Sequence, residues 1–118
     1  MRSHRSLDAW KVARQLSIKV LKKTDDHYHP RARSLFDQLR RASVSIEANI
    51  VEGYALHTKP QFRRHLRIAL GSGAETEGFL ELIAALECLP KDVVAELRDL
   101  TARSMALVYG LLRYLGRP

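Results

Sequence analysis

Cys88 is the only cysteine in this chain. It has no internal partner, so a disulfide scaffold is excluded. Long apolar runs are also missing, and none approaches the roughly 18 residues that a bilayer-spanning helix needs. The opening stretch, MRSHRSLDAW, has no apolar segment of the kind a signal peptide carries. These absences lead us to expect a cytoplasmic protein with no membrane contact. Aromatic residues make up only 7% of the chain. No RNA-recognition fingerprint and no aromatic platform is visible, and Tyr28 and Tyr54 read as packing residues. The alternating pattern of a half-buried strand is not found.

Acidic residues are scarce relative to basic ones, 13 against 20 in 118 residues, giving a net charge of +7 and a pI near 10.0. The imbalance is local. Residues 1–67 hold 15 Lys/Arg against 6 Asp/Glu, a net +9, whereas residues 68–118 hold 5 against 7, a net −2. Clustered arginine in so basic a chain is the electrostatic footprint expected of a polyanion binder. At 46% hydrophobic and 28% charged residues the composition is that of one globular domain.

Apolar residues recur at steps of three and four in four stretches, about 8–24, 31–54, 59–88 and 91–115. In the first, Trp10, Ala13, Leu16 and Val20 share a side, and Ser6 or Asp8 can cap the start. In the second, "QLRRASVSIEANIVEG" puts Leu39, Ala42, Ile46, Asn49 and Gly53 on one face. Thr58 followed by Gln61 forms a capping box for the third, with Pro60 tolerated in its first turn. That third stretch carries two stripes, Phe62-Leu66-Ala69-Gly73-Thr76-Leu80-Ile83 and Ile68-Ser72-Phe79-Leu82-Leu86, so it should meet more than one neighbour. Val93, Leu97, Leu100, Ser104, Leu107 and Leu111 form the face of the fourth, which Gly116 and Pro118 end. The short connections imply an all-α, antiparallel up-down-up-down four-helix bundle.

The tight turn at 55–58 sets a register in which positions summing to about 115 lie level across the second and third helices. Gly71, Ser72 and Gly73 then form a small-residue patch, suggesting close approach of a neighbour, since glycine in a helix costs roughly 0.5–1 kcal/mol. In that register Arg40 or Arg41 would make a buried pair with Glu75. Asn49 would hold the register through a buried amide, and Glu52 would pair with Arg63 or Arg64.

The run from Gln38 to Gly53, with Phe62 and "IALGSGAE" at 68–75, resembles the four-helix bundle family of 23S rRNA intervening-sequence proteins. Family positions fall on Gln38, Leu39, Arg40, Arg41, Ala42, Ser45, Ile46, Asn49, Ile50, Glu52, Gly53, Phe62, Gly71, Ser72 and Glu75. Val51 stands where alanine is common, and Ala55-Leu56-His57-Thr58 replaces a basic residue and serine. The resemblance implies a bundle that associates as a homopentameric ring. It also relates the chain to the accessory protein of diversity-generating retroelements, which joins a reverse transcriptase and binds nucleic acid.

Arg63, Arg64 and Arg67 crowd the start of the third helix, where like charges repel unless an anion relieves them. Arg31 and Arg33 open the second helix, and Lys19, Lys22 and Lys23 end the first. Repeated in a ring, such patches would add as avidity and read shape and charge in structured nucleic acid, RNA before DNA. His27 and His29 lie in a linker without a second ligand cluster, and no Glu-x-x-His pair occurs, so no metal or cofactor is expected. No nucleophile is paired with a base. The reading is a non-enzymatic, nucleic-acid-binding oligomer. A reverse-transcriptase accessory, or an adaptor without specific nucleic-acid binding, are the alternatives.

Overall fold

The computed structural model describes residues 3–116, in four helices: α1 (Asp8–Asp26), α2 (Arg33–Ala55), α3 (Lys59–Ala85) and α4 (Lys91–Leu115). Each helix packs on its two neighbours around a ring, α4 closing against α1, and the backbones of diagonal helices stay apart among the described residues. The molecule measures 48 × 21 × 20 Å. The 27/32 linker and the 86/90 turn therefore share one end. The 56/58 turn lies at the other, with the start of α1 and the end of α4. This is the expected antiparallel bundle. None of its helices is long and apolar enough to cross a membrane among the described residues.

The core follows the periodic faces. Leu16, Val20, Phe36, Leu39, Ile46, Ile50, Leu66, Leu80, Ile83 and Leu97 are buried between the four helices. The buried threonine hydroxyls satisfy themselves on the preceding turn: Thr24 donates to the Val20 carbonyl, Thr76 to Ser72, and Thr101 to Leu97. The second stripe of α3 divides, with Ser72 buried and Phe79 packed partly buried against the core. Ile68, Leu82 and Leu86 remain 40–61% exposed, because both neighbours of α3 already cover its other sides.

The helix ends differ in detail from expectation. Leu7, not Ser6 or Asp8, precedes α1 and offers no side-chain cap. Ser6 sits in a single 3-10 turn, His4–Ser6, capped by Ser3. Pro30 opens a second 3-10 turn, Pro30–Ala32, so α2 proper begins at Arg33. Thr58 does cap α3, its Oγ1 accepting from the Gln61 amide, with Pro60 in the first turn. Leu86 and Glu87 end α3 earlier than periodicity suggests. Glu87 takes the left-handed conformation at φ 55°, and the amides of Glu87 and Cys88 return to the carbonyls of Ala84 and Ile83. Gly116 closes α4 in ordinary right-handed geometry, φ −79°. Pro118, the other expected stop, lies outside the described residues.

Candidate nucleic-acid interface

α3 begins with Thr58 as its cap and carries Lys59, Arg63, Arg64 and Arg67 within its first turns, with no acidic residue before Glu75. Backbone amides at a helix N-terminus already project positive charge, so cations there are disfavoured on structural grounds. Lys59/Arg63 and Arg63/Arg67 are also like-charged neighbours one turn apart. None of the four has a carboxylate within ion-pair distance among the described residues. They line an open groove of about 770 Å³ together with Pro60, Ile68 and Leu115 of α4. Arg63 is half-buried, its guanidinium close to Gly116 at the end of α4, where helix carbonyls attract a cation. Arg64 and Arg67 are exposed and have no such compensation.

The other expected cations are not part of this groove. Lys22, Lys23, Arg31 and Arg33 lie at the opposite end of the bundle, because α1 and α3 both run away from the 56/58 turn. Arg31 and Arg33 line a shallow depression with Pro30, Ser34, Asp37 and Gln38. Lys19 is already neutralised, its ammonium 2.8 Å from Glu96 of α4.

The motif residues of α2 are tied into the bundle. Arg40 does not reach Glu75. Its Nε donates to Thr24 Oγ1 at 2.7 Å and its Nη2 to Asp25 at 2.6 Å, joining α2 to the end of α1. Arg41 takes Glu75 instead, at 2.8 Å, with Gln38 accepting from its Nε. That pair is about half exposed on both sides, not buried as expected, because Arg41 sits on the outer edge of the α2–α3 seam. Asn49 donates to the carbonyl and hydroxyl of Ser45, while Ser72 donates to that same hydroxyl from α3. Since the Asn49 amide nitrogen is so engaged, its Oδ1 faces His65 Nδ1 at 3.0 Å as an acceptor, and His65 holds its proton there. Glu52 lies 4.0 Å from the same ring nitrogen and does not pair with Arg63 or Arg64. Those arginines project from other sides of α3. His65, buried to 6% exposure, is the residue that sequence reading missed. Its signal was Gly53: a Cβ there would come within 2.7 Å of His65 Cβ. Gly73 likewise admits Met105 of α4, whereas Gly71 faces open space and marks no close approach.

Residues 5–110 match the family described as 23S rRNA-intervening sequence protein. A crystal structure of a protein of unknown function from the S23 ribosomal protein family of Bacteroides thetaiotaomicron VPI-5482 is similar, with a TM-score of 0.79 over 89% of this chain and 98% of that chain, at 19% identity. At that identity the likeness speaks for the fold. No curated protein matches the chain.

Proposed function

The chain belongs to the family of 23S rRNA-intervening sequence proteins, and from that premise we propose that it is a non-enzymatic bundle that binds the phosphates of structured RNA in the groove of Lys59, Arg63, Arg64 and Arg67. The observation that carries this reading is the uncompensated charge at the start of α3. Four cations crowd the first three turns of α3 without an acidic partner among the described residues, and only Arg63 is offset by the end of α4; such like-charge crowding costs the isolated fold stability, and an anion reverses it. Such contacts would read charge and backbone shape, with RNA preferred over DNA through its geometry. Self-association, as a homopentamer, belongs to the same proposal. The exposed Leu82 near the end of α3 and Leu86 just past it supply apolar surface for a second copy, and repetition of the groove would multiply weak phosphate contacts.

Fluorescence anisotropy of the protein with structured RNA, duplex DNA and heparin across a salt series tests the reading. RNA binding that exceeds heparin binding near physiological salt is expected. Replacing Arg63, Arg64 and Arg67 by alanine should lower the slope of log K against log salt by about 2 to 3. Equal, weak binding to all three polyanions would leave an adaptor whose charge serves solubility.

A further inference from the structure

At the end of the bundle opposite the cationic groove, the α1–α2 linker and the α3–α4 turn border an open cleft of about 820 Å³ over the start of α4. Clefts of roughly 300–1,000 Å³ are the size that takes small organic ligands. Leu89 and Val94 give it an apolar lining, and three further features border it. The Tyr28 ring is 51% exposed, without ring contact or hydrogen bond among the described residues, so it is not the packing residue that the sequence suggested. His29 also lines the cleft, but its Nδ1 is buried, without a hydrogen-bond partner among the described residues, and so is not offered to a ligand. Lys91 lines the cleft, its ammonium without an ion pair among the described residues. Finally, α4 starts there on Pro90, which supplies no side-chain cap, so the first-turn amides of a 25-residue helix have no side-chain acceptor from the cap residue.

A flat ring, an apolar wall and a cation beside uncapped helix amides match one chemical class, an aromatic base joined to a phosphate. We propose that this cleft binds a nucleoside monophosphate unit, its base against Tyr28 and its phosphate on Lys91 and the first amides of α4. Glu87 on the rim accepts from the sugar hydroxyls or a base amine. Asp92 in the first turn of α4 opposes the phosphate and keeps the affinity modest. The unit has two sources, a free nucleotide or the phosphorylated end of an RNA strand. The cleft is separate from the Arg63–Arg67 groove and does not depend on its role.

Isothermal titration of the full chain with 5′-AMP, 5′-UMP, adenosine, inorganic phosphate and a 5′-phosphorylated RNA trinucleotide tests this. Saturable mononucleotide binding is expected, at least about tenfold tighter than for adenosine or phosphate alone, because both halves of the ligand are held. Tyr28→Ala should weaken it by at least about fivefold, as loss of a base–aromatic stack does, and Lys91→Ala by a similar factor. Both side chains are exposed, so circular dichroism should be unchanged. Arg64→Ala with Arg67→Ala should leave mononucleotide affinity intact while reducing binding of long RNA. If the trinucleotide binds as well as the mononucleotide, with the same dependence on Tyr28 and Lys91, the source is an RNA end. If only the mononucleotide binds, it is a free nucleotide. No saturation by either up to about 5 mM, or affinity untouched in both cleft variants, overturns the proposal.

Discussion

Gly53 lets α3 approach α2 at His65 by one missing methyl group. Gly53→Ala places a carbon 2.7 Å from His65 Cβ, which is fixed to the α3 backbone and cannot rotate away. The helices must part, and thermal unfolding should show a loss of about 1–3 kcal/mol, as overpacking in a core does. Gly71→Ala is the opposite case. Its site is open, so the better helix propensity of alanine should raise stability by about 0.5–1 kcal/mol. The two arginines of the motif also separate. Arg40 is 27% exposed and makes two short charge-assisted bonds to α1, so Arg40→Ala should cost about 1–2 kcal/mol in a denaturant melt. Arg41→Ala removes a half-exposed pair and should cost less than about 1 kcal/mol. Equal losses would mean that the Thr24–Asp25 anchor contributes nothing beyond an ordinary surface pair.

At the scale of the element, α3 carries the tension between stability and proposed function. Its N-terminus gathers cations where the backbone disfavours them, yet Thr58 still secures the start. Its C-terminus is closed by a residue in left-handed geometry that is not glycine. Glu87→Gly should relieve that conformation and raise the unfolding midpoint, by about 1 kcal/mol of stability. The same change removes a rim carboxylate from the cleft, so its effect on mononucleotide binding is read separately from its effect on folding.

For the molecule as a whole, antiparallel connection sends the chain's basic residues to both ends of a 48 Å rod. The sequence showed one excess of positive charge in residues 1–67. The fold divides it between the Arg63–Arg67 groove and the Lys22–Arg33 end, so a single short duplex cannot use all of it through one face. Leu82 near the end of α3 and Leu86 just past it supply the apolar surface proposed for self-association. Light scattering coupled to size exclusion should show an assembly larger than the monomer, and Leu82→Gln with Leu86→Gln should shift it toward the monomer without changing helicity. A monomer in both cases would remove oligomerisation from the proposal, and with it the avidity argument.

Periodicity by itself determined the bundle. Leu16, Leu39, Ile46, Leu66, Leu80 and Leu97 recur at helical spacing, and short connections leave antiparallel packing as the solution. The level pairing of α2 with α3 was also legible, since it depends only on the length of the 55–58 turn, and Arg41–Glu75 and Ser45–Ser72 lie where that register puts them. Only the tertiary structure decided which arginine reaches Glu75. Adjacent helical residues differ by about 100° around the axis, and that rotation sends Arg40 to α1 and Arg41 to α3. It alone brought His65 under Gly53 and gathered Tyr28, His29 and Lys91 around one cleft. Lys91 is distant in sequence from Tyr28 and His29, and His65 lies on a different helix from Gly53, so no local pattern can join them. Their meeting follows from where the linkers cross the end of the bundle.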